Sequence, residues 1–278
     1  MKIVVLGAKG RLGQALCGVL PAEVVVLGRD AADLTKGPEL RKTLTELAPN
    51  VIVNAAGYTD VDGAESEPKI ASAVNGLALR DIATVCKELD CTLIHFSTNY
   101  VFGGDTARAT PYTEADKHGP INRYGRTKLD GEMFTRGHCG KHFILRTCGL
   151  FGGVGPRADF VTTMLAQAAQ GRSIRVVNDQ TCTPTSVLDL ARAVLPLLDS
   201  NKFGLYHITN SGSCTWHEFA QAIFALKGVQ AKLEPVTTAE YAAKALRPRY
   251  SVLDNTKWQE AGFAPLRPWR DALADVLK

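Results

Sequence analysis

Short apolar runs alternate with helical stripes along the first half of the chain. Residues 2–6 (KIVVL), 24–27, 51–53, 92–96 and 142–145 are nearly continuous apolar runs, the pattern of strands buried on both faces of a parallel sheet. Between them apolar residues recur at helical spacing: Leu12, Leu16, Val19 and Leu20, then Leu40, Leu44 and Leu47. Ala71, Val74, Ala78, Ile82, Val85, Cys86 and Leu89 predict one long helix over 68–89, and 124–134 predicts another. This β-α-β-α order implies an α/β fold, a doubly wound parallel sheet of the Rossmann type with ligands beyond the carboxyl ends of the strands.

Past residue 150 the pattern changes. Gly152, Gly153, Gly155 and Pro156 break the chain, and helices over 160–169, 187–198, 216–226 and 269–277 are interleaved with strands at 174–177 and 205–208. The run at 205–208 is expected to return to the main sheet. Residues 1–150, rejoined by 186–210, therefore read as a nucleotide-binding domain, and 151–185 with 211–278 as a smaller, discontinuous C-terminal substrate lobe.

Composition narrows the function classes. The chain has 278 residues, 45% hydrophobic and 22% charged, with a formal net charge of +4 and no basic block, so no nucleic-acid partner is expected. No apolar run approaches the roughly 20 residues of a membrane span. The opening Met1–Gly7 is interrupted too soon by Lys9 and Arg11 to read as a signal peptide. Seven cysteines without a CxxC pair read as free thiols of a cytoplasmic protein. His138, Cys139 and His142 lie among Gly137, Gly140 and Lys141 and read as an exposed turn; they lack a fourth ligand, and no metal is expected.

Two motifs carry chemistry. Gly7-Ala8-Lys9-Gly10-Arg11-Leu12-Gly13 follows the first strand and opens the first helix. The first glycine permits a tight turn, the second close approach of backbone N–H groups to a diphosphate, and the third close helix–strand packing. The second strand ends in Leu27-Gly28-Arg29-Asp30, where Arg29 can hold a 2′-phosphate; this favours NADPH, with NADH as the alternative. Asp33-Leu34 is placed to pass the adenine. Tyr124 and Lys128 form a YxxxK pair one helical turn apart, so they share a face. An ammonium beside a phenol favours phenolate and is expected to lower the tyrosine pKa. Ser97 and Thr98, after the fourth strand, offer hydroxyls to a substrate carbonyl.

With these motifs in place, the sequence resembles the dTDP-4-dehydrorhamnose reductase family of extended short-chain dehydrogenases/reductases along nearly its whole length. The resemblance rests on Asn54-Ala55-Ala56-Gly57-Tyr58-Thr59-Asp60-Val61-Asp62, on Ala73-Val74-Asn75, on Ser97-Thr98-Asn99-Tyr100-Val101-Phe102, on the stretch from Tyr124 to Glu132, and on Val177 to Thr185. It implies reduction of the 4-keto group of a dTDP-6-deoxy-4-hexulose, with Tyr124 as proton donor, Lys128 tuning it, and Thr98 with Ser97 holding the keto oxygen. It also implies that Gly10, Arg11, Leu12, Asp33, Leu34, Gly57, Tyr58, Thr59 and Phe96, with Ala55 and Ala56 in the segment beneath, line the cofactor. Thr59, Val61, Asn99 and Tyr100 would face the sugar. Three positions depart from the family pattern: Asn99 stands for an aspartate, Gly149 for a tryptophan, and Ala15 for a glutamate tied in some members to a metal-bridged dimer, so a monomer or weak homodimer is expected. Two other readings are an NADP-binding regulatory subunit resembling that of methionine adenosyltransferase, and a sugar-nucleotide epimerase or dehydratase.

Overall fold

The structure is a computed structural model that describes residues 1–21 and 23–278. The chain runs β1 (Ile3–Leu6), α1 (Arg11–Val19), β2 (Val24–Leu27), α2 (Gly37–Leu47), β3 (Val51–Asn54), α3 (Val61–Ser66), α4 (Pro68–Ser72), a π-helical turn (Ala73–Leu77), α5 (Ala78–Glu88), β4 (Thr92–Thr98), a 3-10 turn (Asn99–Val101), α6 (Arg123–His138) and β5 (His142–Thr147). Next come β6 (Leu150–Phe151), α7 (Phe160–Ala169), β7 (Ile174–Val177), β8 (Thr181–Cys182), β9 (Thr185–Ser186), α8 (Val187–Ala193) and β10 (Gly204–His207). The chain continues through β11 (Cys214–Thr215), α9 (Trp216–Lys227), β12 (Leu233–Val236), α10 (Thr238–Tyr241), α11 (Thr256–Glu260) and α12 (Trp269–Val276).

Six of these strands form one sheet in the order β10-β5-β4-β3-β1-β2, with every pairing parallel. The connections wind outward in opposite directions from the β1–β3 boundary, which makes that boundary the switch point where ligands bind in such sheets. β1 and β3 are buried throughout, as their continuous apolar runs require. One face packs Val5, Phe96 and Leu145 against α1 and α8, together with Trp258 and Phe263 from the C-terminal stretch. The other packs Leu6, Ile52 and Leu93 against α2 and α5. A separate apolar cluster around Phe151, Met164, Phe219 and Trp269 draws only on residues beyond 150.

The strand expected at 205–208 is β10, and it does return to the sheet, pairing Leu205 with Ile144. The single helix expected over 68–89 is instead three pieces, because the π-helical turn lies between α4 and α5. The helix expected over 187–198 ends as α8 at Ala193, and Pro196 sits in a 3-10 turn instead, since proline lacks the amide that would continue the helix. β12 was not foreseen. It contains Pro235, which a two-stranded pairing with β7 tolerates better than a central strand would. The His138-Cys139-His142 segment is a correction: Cys139 is buried among the residues of α5 and β4 rather than exposed on a turn.

Candidate active site

The site is assembled at the carboxyl ends of β1, β3 and β4. Gly7 leaves β1 with φ +75°, and a Cβ there would stand 2.6 Å from the Ala56 nitrogen, so the loops after β1 and β3 touch directly. A Cβ at Gly13 would lie 2.2 Å from the Gly7 carbonyl oxygen, which fixes the third glycine as the one that lets α1 start against the strand. Gly10 is the N-cap of α1, has no side chain to cap it, and no acidic residue occupies the first turn. The helix therefore presents uncapped N–H groups and positive dipole charge to the switch point, a setting that fits a dinucleotide diphosphate.

The predicted cofactor residues do not all point into this space. Leu12 and Phe96 are packed in the core on one side of the sheet and Leu34 on the other, so only their backbone borders the cleft. The Asp33 carboxylate accepts from the Thr35 amide (2.9 Å) and hydroxyl (2.8 Å) and lies 3.7 Å from Arg29, whose side chain is 79% exposed. Arg29 is thus loosely held and free to meet a phosphate. Lys9 pairs with Asp30. The Arg11 guanidinium reaches across the cleft instead of lining it, donating to the carbonyls of Gly152 (3.0 Å), Gly153 (2.8 Å) and Arg157 and lying 3.3 Å from Asp159. Gly57 and Thr59 are exposed on the loop after β3, and the backbone of Tyr58 is clamped at both its N–H (2.9 Å) and C=O (3.0 Å) by Asn75 of the π-helical turn. Tyr58 gives its hydroxyl to Glu67 (2.7 Å). Val61 opens α3 under the Asp60 cap.

α6 delivers the YxxxK pair. Asn122 caps the helix, accepting from the Gly125 amide at 2.7 Å. A Cβ at Gly125 would fall 2.1 Å from the Tyr100 carbonyl oxygen, so a glycine after Tyr124 lets the helix seat on the 3-10 turn. Tyr124 meets Tyr100 edge-on at 6.0 Å, and the neighbouring Thr98 hydroxyl accepts from the Tyr100 amide at 3.1 Å and donates to Asn99 Oδ1 at 3.2 Å. Lys128 Nζ donates to the Phe96 carbonyl at 2.6 Å and stands 4.0 Å from where a Gly57 Cβ would be. Burial pushes the Lys128 ammonium down to about 8. The expected lowering of Tyr124 is not found: burial pushes its phenol up to about 12, opposed by the Thr98 hydroxyl. The Phe96 carbonyl, not the phenol, holds the ammonium here.

Two other expectations are corrected. The Ser97 hydroxyl is taken by Glu132 of α6 and is not offered to the cleft. Asn99 is buried and donates to the Ser251 hydroxyl at 2.8 Å, joining the end of β4 to the C-terminal stretch instead of standing open toward a sugar. Gly149, where the family pattern has a tryptophan, has φ +53°, and a Cβ there would lie 3.3 Å from the Trp216 ring, so Trp216 of α9 packs directly beside it. The sequence reading named Asn75 only within Ala73-Val74-Asn75 and gave it no role, and it overlooked Arg247, which pairs with Asp62 at 2.7 Å and acts electrostatically on Tyr100. Arg247 falls in the 211–278 stretch read as part of the substrate lobe, with no motif to single it out.

The whole chain, residues 1–278, matches the family model described as RmlD substrate binding domain. It is 40% identical to a dTDP-4-dehydrorhamnose reductase from Streptomyces griseus, over 98% of this chain and 91% of that protein. It is 36% identical to a dTDP-4-keto-6-deoxy-D-glucose reductase from Streptomyces niveus, over 98% and 95% of the two chains. Among solved structures, dTDP-4-dehydrorhamnose reductase from Bacillus anthracis in complex with NADP superposes with a TM-score of 0.94 at 34% identity, covering 99% of each chain.

Proposed function

The chain belongs to the RmlD substrate binding domain family, and from that premise we propose that it uses NADPH to reduce the 4-keto group of a dTDP-6-deoxy-4-hexulose, yielding dTDP-L-rhamnose or a related deoxysugar nucleotide. One observation carries the reading: Tyr124, one helical turn from a buried Lys128 whose ammonium is held by the Phe96 carbonyl, lies at the carboxyl end of a parallel sheet whose first strand leads into an uncapped helix N-terminus. Gly7, Gly10, Gly13 and the first-turn amides of α1 would hold the diphosphate, Arg29 the 2′-phosphate, and Ala55–Gly57 with Lys128 the nicotinamide half. When bound, the nicotinamide supplies a hydride to the carbonyl carbon.

The remaining work falls to side chains of this chain. A keto oxygen placed between the Thr98 and Tyr124 hydroxyls gains charge as its carbon is reduced, and two fixed donors favour that charge. Tyr124 then passes its proton to the oxygen. A phenol held near 12 remains protonated at neutral pH, so it stays ready as the acid. The phenolate left behind is stabilised by the Lys128 ammonium. Trp216 gives the sugar the aromatic wall that Gly149 cannot. A two-part division, with residues 151–185 and 211–278 serving the sugar nucleotide, fits this arrangement, and the separate apolar cluster around Phe151 and Phe219 supports it. A biosynthetic activity on a sugar nucleotide fits a cytoplasmic protein, and Ala15 in place of a glutamate fits a monomer or weak homodimer. No helix among the described residues is long and apolar enough to cross a membrane.

The test is NADPH oxidation with a panel of dTDP-4-keto-6-deoxy sugars, the product stereochemistry being read by NMR. Net consumption of NADPH excludes an epimerase or dehydratase. Tyr124→Phe should lower kcat by about 10²–10⁴ with NADPH affinity close to the parent value, since removing a positioned general acid has that effect. A Tyr124→Phe protein reducing the sugar at the parent rate would overturn the assignment.

A further inference from the structure

Beneath the YxxxK pair lies a buried polar network that the reduction as described does not use. Glu132, one turn beyond Lys128 on α6, is fully buried, as is Arg146 of β5. Arg146 Nε donates to Glu132 Oε1 at 2.8 Å and Nη2 to Oε2 at 2.7 Å. Glu132 Oε1 also accepts from the Ser97 hydroxyl. The guanidinium is closed on its far side by His207 Nε2 at 3.2 Å, His118 Nε2 at 2.5 Å and the Phe102 ring, whose centroid is 5.1 Å away. Burial and the Arg146 charge hold both histidines down, so they add no cation at neutral pH.

The groups around Lys128 can be followed element by element. From α6 come Tyr124, neutral, and Glu132. From β4 comes His95, fully buried and held well down by its desolvation and by the Lys128 charge; its Nδ1 lies 3.3 Å from Asn54 Nδ2. From the loop after β3 comes Gly57, and from the π-helical turn Asn75, neither ionisable. Arg146 reaches this space only through Glu132. Among the described residues, Glu132 is therefore the one anionic side chain acting on the ammonium, while the same carboxylate ties Ser97, the neighbour of Thr98, and the end of β5 to α6.

We propose that Glu132 is a positioning residue for the reduction: it fixes the end of β4 against α6 so that Thr98 meets Tyr124, and it keeps the buried Lys128 charged. The proposal rests on the reductase reading above. A buried carboxylate whose geometry is satisfied by Arg146 still exerts its charge on a lysine one turn away, and without it only the Phe96 carbonyl opposes the desolvation of the Lys128 ammonium.

The test uses two variants of the full chain, Glu132→Gln and Glu132→Gln/Arg146→Gln. The double variant removes the cation that the single one leaves unpaired; replacing both members of a buried pair costs far less stability than breaking it. The Lys128 pKa is read directly by NMR titration of chains labelled at lysine Cε, with Lys128→Met identifying the signal. It should fall by about one unit or more in both variants, and the basic limb of the kcat–pH profile should move to lower pH by the same amount. Glu132→Asp, which keeps the charge, should move it less. A Lys128 titration at the parent pH in the folded double variant would overturn the proposal, because a merely structural role lowers rate and stability without moving that limb. The NMR arm needs no substrate, so a parent chain that fails to oxidise NADPH would count against the reductase reading alone.

Discussion

At the scale of single residues, Lys128 is where function and stability oppose each other. Its pKa falls from 10.5 to about 8 on folding. A lysine depressed in the folded state costs stability once the unfolded chain binds its proton and the folded one does not, so stability is lost as pH falls from about 10.5 toward 8 and stays lower below that. The shift corresponds to about 3 kcal/mol, offset by about 1 kcal/mol for the bond to the Phe96 carbonyl. Lys128→Met should therefore raise the melting temperature of the cofactor-free chain at pH 7 by several degrees while reducing kcat and NADPH affinity together; calorimetry with steady-state kinetics checks both. Arg29 makes a simpler prediction. With its side chain 79% exposed and only Asp33 beside it, it is available to a 2′-phosphate, so Arg29→Ala should weaken NADPH binding by about ten- to a hundredfold and leave NADH nearly unchanged. Equal affinity of the parent for both cofactors would remove the basis for it. Tyr124 and Lys128 could be paired from the sequence because one helical turn brings them to one face. Ser97 and Asn99 could not be placed, because each side chain's direction is set by a partner 35 or 152 positions away.

At the scale of elements, the strands were the legible part. Runs such as 51–53 and 142–145 are apolar on both faces because both faces are covered, and this needs no knowledge of the partner. The helix at 68–89 misled for the opposite reason. Its apolar stripe passes unbroken through residues 73–77, while the π-helical turn serves tertiary contacts that periodicity does not encode: the Asn75 side chain holds Tyr58, and its carbonyl approaches so closely that a Cβ at Gly131 of α6 would lie 2.2 Å from it. Glycines on α6 carry the same information. A Cβ at Gly125 would overlap the Tyr100 carbonyl at 2.1 Å, so Gly125→Ala must lift the first turn of the helix from the 3-10 turn. The expected cost is about 1–3 kcal/mol of stability, as for other overpacked sites. A larger loss of kcat than of cofactor affinity should accompany it, because Tyr124 is drawn from Thr98 while the glycine loop is untouched. Circular dichroism melts and kinetics on the same sample separate the two effects.

At the scale of the whole molecule, several side chains join the first 150 residues to the rest of the chain, among them Asn99, Asp62 and Arg11. From the first turn of α1 Arg11 binds three carbonyls between Gly152 and Arg157 and the buried Asp159 carboxylate, tying the phosphate-facing loop to the segment entering α7. Arg11→Met should cost on the order of 3 kcal/mol, the figure for breaking a largely buried ion pair. Amide exchange across 152–158 should rise while that of β1–β5 does not, and uniform exchange across both would show that Arg11 is not a local tie. The order of the sheet has a consequence of another kind, for synthesis rather than for catalysis. β10, the outermost strand, begins at residue 204, after the chain has already left the sheet to build β6–β9 and α7. A nascent chain that has delivered every proposed catalytic side chain still has the hydrogen-bonding edge of β5 bare, and its buried Arg146 waits for His207. Bare strand edges recruit other chains. The sheet thus cannot close before the segment that builds β6–β9 and α7 has been made, and cutting the gene near residue 150 should yield a fragment that clumps.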